Sequence, residues 1–166
     1  MEPATELRFV EQAVRLATAN GATGQLPFGA VVVRAGEVIA TGVNTTLRDH
    51  DPTAHAEVAA VRAACRALGT TALPGAVVVS SCEPCPVCHV VAVAAGVQEI
   101  VYAATAEQAA AHGFASPVEV IRIREDLAEL RRDHLRHIPT GDDTAPFVRY
   151  RASNPGGSDG PAGPRP

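Results

Sequence analysis

The sequence predicts a single three-layer α/β domain, and three observations carry that prediction. After an amphipathic N-terminal segment, strand and helix periodicities follow in the order strand–strand–helix–strand–helix–strand–helix. The run Ala76–Ser80 is almost wholly apolar and β-branched, as suits a strand covered by helices on both faces. The chain has 166 residues, 46% hydrophobic and 19% charged, enough to bury one core without staples.

Taken in order, Glu6–Asn20 is expected to be a helix, because Leu7, Val10, Val14 and Ala17 recur at helical spacing and Asn20-Gly21 can end it. A glycine-rich loop over 21–27 leads into two strands, Phe28–Val33 and Val38–Gly42, joined by the turn Arg34–Glu37. Asp51-Pro52-Thr53 closes the next loop, with Thr53 as the expected N-cap of a helix over Ala54–Leu68. Its stripe is Val58, Val61, Cys65 and Leu68, which makes Cys65 a small core residue, and Gly69 ends it. The strand Ala76–Ser80 follows, then a helix over Pro86–Ala95 stopped by Gly96, a strand over Ile100–Ala103 and a short helix over Ala106–His112. Beyond Gly113, the expectations are a strand over Val118–Ile123, a helix over Glu125–Leu135 and a last helix over Ala145–Arg151. The domain is drawn over 1–152, and the Pro/Gly-rich residues 153–166 are expected to form a disordered tail.

The formal net charge is -4, and all fourteen basic residues are arginine. A negative chain argues against a broad nucleic-acid footprint. The basic segment Arg122, Arg124, Arg131, Arg132 and Arg136 is interleaved with acidic residues, like an ordinary solvated helix face. No apolar run reaches the roughly 20 residues of a membrane span, and the N-terminus lacks the pattern of a signal peptide. A cytoplasmic protein with no membrane partner is expected.

Three of the four cysteines, Cys82, Cys85 and Cys88, fall within seven residues, which points to metal binding or catalysis rather than a disulfide framework. Cys85 and Cys88, three apart at the start of a helix, turn both sulfurs to one face. Pro86 suits the first helical position, and the positive helix end favours thiolates. Thirty residues upstream of Cys85 stands His55, at the start of its own helix, followed by Ala56 and Glu57. Two thiolates and one imidazole are a zinc donor set, and three protein ligands leave a fourth position for water. Glu57, two residues from His55, can face a substrate as a base. A closed site using Cys82 as a fourth ligand, and a redox-active Cys-x-x-Cys, are the competing readings. His89 lies on a different helix face from Cys88. Glu83 is expected to brace its turn by accepting backbone N–H bonds.

With these residues placed, the chain resembles the cytidine deaminase superfamily, in particular the branch that holds bacterial guanine deaminases, cytosine deaminases and tRNA adenosine deaminases. The resemblance runs from about Phe9 to Phe114 and rests on three blocks: Pro27–Val31, Asp51–Glu57 and Ser81–Cys88. It implies a mixed five-stranded sheet between helices, zinc on His55, Cys85 and Cys88, and Glu57 as proton shuttle. It further implies that Asn44 hydrogen-bonds the base, that Phe28 lines the pocket and that Ala56 contacts substrate. It also implies a homodimer. The expected reaction is hydrolytic deamination of a nucleobase or nucleoside, with guanine the leading single substrate. Guanine deaminases of this kind carry acidic residues after a Gly-Phe pair; here Gly113-Phe114 is followed by Ala115-Ser116, which widens the expectation to several substrates. The alternatives are a cytosine, cytidine or adenosine deaminase, a tRNA adenosine deaminase, and a zinc-stapled binding module.

Overall fold

The computed structural model describes residues 3–117, 120–123 and 135–155. Helix α1 spans Pro3–Gly21. Strands β1 (Gly29–Arg34) and β2 (Glu37–Val43) form the expected hairpin. A single helical turn, α2 (Thr46–Asp49), precedes α3 (Ala56–Leu68). Strand β3 (Ala76–Cys82), helix α4 (Pro86–Ala94), strand β4 (Glu99–Ala104) and helix α5 (Ala106–Ala111) follow, then β5 (Leu135–His137) and α6 (Ala145–Ser153).

The five strands lie in the order β2-β1-β3-β4-β5. β1 is antiparallel to both β2 and β3, whereas β3, β4 and β5 run parallel, so the sheet is mixed. β3 stands at its centre, which explains why Ala76–Cys82 is buried on both faces. Alternate residues feed two cores. Ala30, Val32, Val78 and Ile100 pack with α3 and α4 on one face. Val31, Val33, Val79 and Val101 pack with Phe9, Val10, Ala13 and Val14 of α1 on the other.

Several expectations are corrected. Leu7 is exposed, and Glu6 takes the inward place in the first turns of α1, where its carboxylate pairs with Arg136 next to the sheet edge. Helix α3 starts two residues later than expected, and its N-cap is His55. Thr53 instead gives its N–H (2.8 Å) and hydroxyl (2.7 Å) to the Asp51 carboxylate, closing a turn within the loop. The buried face of α3 is built largely of Ala56, Ala60 and Ala64 beside Val58 and Val61, while Leu68 is exposed and Cys65 only half-buried. Small residues are needed because α3 lies directly on β2 at Gly42. A Cβ there would run into the Ala56 carbonyl oxygen and the Ala60 nitrogen.

The fifth strand is Leu135–His137, not Val118–Ile123. Residues 120–123 are helical, with the Ile121 N–H on the Pro117 carbonyl at 3.0 Å; Val118 and Glu119 lie outside the described residues. Ile121 and Ile123 are exposed there, so their β-propensity finds no sheet neighbour to act through. The helix expected over Glu125–Leu135 lies outside the described residues, except Leu135 itself, which opens β5. Helix α6 runs on to Ser153, just past the expected boundary at 152, and residues 156–166 are outside the described set. Among the described residues, no helix is long and apolar enough to cross a membrane.

Candidate active site

Two helix N-termini meet at the site. His55 caps α3 and Cys85 caps α4, both with extended backbone (φ -74°, ψ 156° and φ -74°, ψ 168°). Neither side chain caps its helix, so both are directed to other partners. Pro86 starts α4 where its missing N–H costs nothing, and Cys88 follows one turn later on the same face as Cys85.

The three ligand atoms form a near-equilateral triangle. Cys85 Sγ is 3.4 Å from His55 Nδ1, Cys88 Sγ is 3.5 Å from the same nitrogen, and the two sulfurs are 3.5 Å apart. A zinc tetrahedron with ordinary bond lengths has S···N edges of about 3.5 Å and S···S edges of about 3.8 Å, so this donor set fits the ion. The electrostatics agree. The bond to Cys88 pulls the Cys85 thiol down to about 4, a ready thiolate. The same bond, with burial, pushes Cys88 up until a cation competes for its proton. The bond to Cys85 raises His55. Among the described residues, His55, Cys85 and Cys88 are the whole ligand group. Cys82 stands apart, with its sulfur 3.9 Å from the Thr105 carbonyl, which sets aside the closed four-ligand site. His89 is buried and outside the group.

Glu57 sits beside this triangle, 7% exposed, and its burial raises its pKa. The Ser80 hydroxyl donates to its Oε1 at 2.9 Å, and the Cys88 thiol lies 3.3 Å from its Oε2. Ser80 was absent from the sequence-level site. Its one sequence signal is a hydroxyl following the apolar run of the central strand, a signal shared with Ser81. Glu83 accepts a backbone N–H, but that of Ala106 at the start of α5 (3.0 Å), so it ties its turn to a second loop.

The expected substrate residues are Asn44, Phe28 and Ala56. Asn44 is 3% exposed, and its backbone N–H bonds the Phe28 carbonyl at 3.1 Å. Its Oδ1 accepts both the Thr46 N–H (3.1 Å) and the Thr46 hydroxyl (2.8 Å). A backbone N–H can only donate, so the oxygen must face Thr46 and the amide NH2 faces the other way. Phe28 is half-buried, with ring centroids 6.0 Å from Phe114 and 5.7 Å from Phe147 of α6. Phe114 belongs to the Gly-Phe pair read in the sequence, and the fold brings both rings to Phe28 from distant segments. Ala56 is fully buried and its methyl belongs to the core. What it can offer a ligand is its N–H, which as the first in α3 has no acceptor within the helix.

A sequence model of the cytidine and deoxycytidylate deaminase zinc-binding region matches residues 3–104. The chain belongs to this zinc deaminase family. Like its relatives, it is a zinc-dependent hydrolase acting on a cyclic amidine C–N bond. It is 44% identical over 145 residues to a guanine deaminase of Bacillus subtilis, covering 86% of this chain and 92% of that protein. The crystal structure of a Bacillus subtilis guanine deaminase superposes with a TM-score of 0.67 over 92% of this chain and 95% of that one, at 35% identity. A tRNA-specific adenosine deaminase of Agrobacterium fabrum is 41% identical over 101 residues, covering 61% of this deaminase and 66% of that protein.

Proposed function

We propose that this deaminase releases ammonia from a free nucleobase or nucleoside, guanine first, with His55, Cys85 and Cys88 holding zinc and Glu57 carrying the protons. The observation that carries this reading is the placement of a buried carboxyl beside a three-ligand set, its Oε2 3.3 Å from the sulfur of Cys88. When bound, the ion supplies a Lewis acid that makes a water nucleophilic near neutral pH. Glu57 accepts the proton that this water loses. Glu57, its pKa raised by burial, would pass that first proton to the ring nitrogen, then take the second proton from the hydroxyl formed on the attacked carbon and deliver it to the departing amine, which leaves as ammonia. Ser80 engages Oε1, which leaves Oε2 on the side of the ligands for this traffic.

Asn44 presents N–H donors to an acceptor on the base, since its oxygen is committed to Thr46. Phe28 supplies an aromatic wall, and Ala56 an N–H. The likeness to a guanine deaminase over most of both chains supports a small substrate with guanine leading. Against tRNA, Arg136 is already paired with Glu6 and Glu99, so this member of the basic segment is not free for phosphate. Steady-state ammonia release from guanine, cytosine, cytidine, adenosine and guanosine tests the assignment. Fastest turnover on guanine is expected, and no release from any of the five would overturn it.

A cytoplasmic homodimer completes the reading. Helix α4 contains no charged residue, yet exposes Val87 (43%), Val90 (56%) and Val93 (39%) along one side. An uncharged apolar helix face is its own complement across a two-fold axis, which supports pairing between copies next to the metal ligands.

A further inference from the structure

The last turn of α1 holds a buried asparagine whose bonds reach well beyond its helix. Asn20 is 9% exposed. Its single Nδ2 donates to two carbonyl oxygens at once, Leu26 at 2.8 Å and Asn44 at 2.8 Å. Its own carbonyl accepts the Thr23 N–H (3.0 Å) and hydroxyl (2.7 Å), so the helix end is already closed without the side chain. Ending α1 therefore does not require this amide.

The two carbonyls it joins belong to the two walls of the proposed base pocket. Leu26 lies two residues before Phe28 and bonds it directly, its carbonyl accepting the Phe28 N–H at 2.9 Å. Asn44 carries the amide proposed to face the base. The Asn44 N–H on the Phe28 carbonyl, at 3.1 Å, links the same walls a second time. Thr46 then holds the Asn44 side-chain oxygen. The Asn44 residue is thus gripped at three points: N–H by Phe28, carbonyl by Asn20 and Oδ1 by Thr46. With those three fixed, its Nδ2 has one direction left.

We infer that Asn20 is a positioning residue for substrate recognition, setting the Asn44 amide against the Phe28 wall through its paired bonds to the Asn44 and Leu26 carbonyls. This rests on the reading of Asn44 as a base contact. Asn20 touches neither substrate nor metal ligand; it acts through Asn44, and so it affects binding rather than the chemical step.

Asn20→Asp, which keeps the shape and loses both donors, and Asn20→Ala test this together with an Asn44→Ala background. Both Asn20 variants are expected to keep one zinc per chain, to raise KM for the best base about tenfold, and to change kcat by less than about threefold. In the Asn44→Ala background, the same substitutions are expected to change KM by less than about twofold, because the group being positioned is gone. An unchanged KM in the Asn20 variants, or the same rise in both backgrounds, overturns the inference. If the wild-type protein turns over no base, the functional reading itself fails, and hydrogen exchange decides the clamp separately. Faster exchange confined to the amides of Leu26, Phe28 and residues 44–46 in Asn20→Ala supports it; unchanged exchange there overturns it.

Discussion

At the scale of single residues, the role proposed for Glu57 turns on its burial. A carboxyl exposed to solvent would sit near its ordinary pKa and hold no proton at neutral pH. Here burial raises it, and the bond from Ser80 limits that rise by favouring the charged form. Glu57→Gln is expected to keep one zinc per chain, measured by metal analysis, while kcat falls by roughly 10²–10⁴. Loss of metal in that variant would instead make Glu57 a structural partner of the ligands. The two cysteines show the same dependence on place. Cys85 at the helix cap is drawn down to about 4 and its neighbour Cys88 is driven up, although both are the same side chain three residues apart.

At the scale of elements, the site depends on helices seated at the right height over the sheet. Helix α3 carries His55 and Glu57 and rests on β2 through Gly42. Gly42→Ala must lift α3, because the added methyl meets helix backbone rather than a movable side chain. A loss of about 1–3 kcal/mol in denaturant unfolding is expected, together with weaker zinc retention against a chelator. On the opposite face, Arg136 of β5 ties Glu6 of α1 to Glu99 of β4. The bond from Arg136 holds the Glu6 carboxyl below its ordinary 4.5. A depressed carboxylate contributes stability that is present above its unfolded value and lost as pH falls through its folded value. Glu6→Gln is therefore expected to lower stability near neutral pH by about 1 kcal/mol, the pair being partly exposed, and to flatten the acid limb of the stability profile below about pH 4.5. Thermal melts of both proteins from pH 3 to 7 check this; parallel profiles would show that the pair adds nothing.

At the scale of the whole molecule, α4 serves two surfaces at once. Its N-terminus supplies two of the three ligands, and its outer side supplies the exposed valines proposed to meet a second copy. Val90→Arg is expected to turn a dimer into a monomer in light scattering, with the metal ligands left in place. A dimer of unchanged affinity in that variant would move the interface elsewhere. Aromatic residues from three distant stretches, Phe28, Phe114 and Phe147, also join into one cluster, which docks α6 against the start of β1. This is a molecular-scale feature: no local pattern announces it.

The parts legible in the sequence are those that a local rule specifies. Strand and helix alternation foretold the layers, the apolar run of β3 foretold the sheet centre, and the spacing of Cys85, Cys88, His55 and Glu57 foretold the metal site, because side-chain direction repeats with the period of the element. The start of α3 is not legible because Asp51, two residues away, takes the hydroxyl and N–H of Thr53 and closes a turn there, so the Thr53 side chain does not cap the helix. The fifth strand was misplaced because β-branched residues at 120–123 resemble a strand until no neighbour is there to pair with them. Asn20 and Ser80 give no sign of a site role in the sequence, for a further reason. Each acts through a partner distant in sequence: Glu57, 23 residues away, for Ser80, and Asn44, 24 residues away, for Asn20 besides its nearer bond to Leu26. Asn20 is the plainest case: as sequence it is a helix stop, and in the fold one amide nitrogen joins two carbonyls, one of them 24 residues away. Residue type and spacing point to a metal site, since zinc needs only the right donors on the right helix faces, and the reaction class enters through the family resemblance that those residues carry. The shape of the base pocket was decided by tertiary structure alone, because a buried hydrogen bond between distant segments has no existence until the chain has folded.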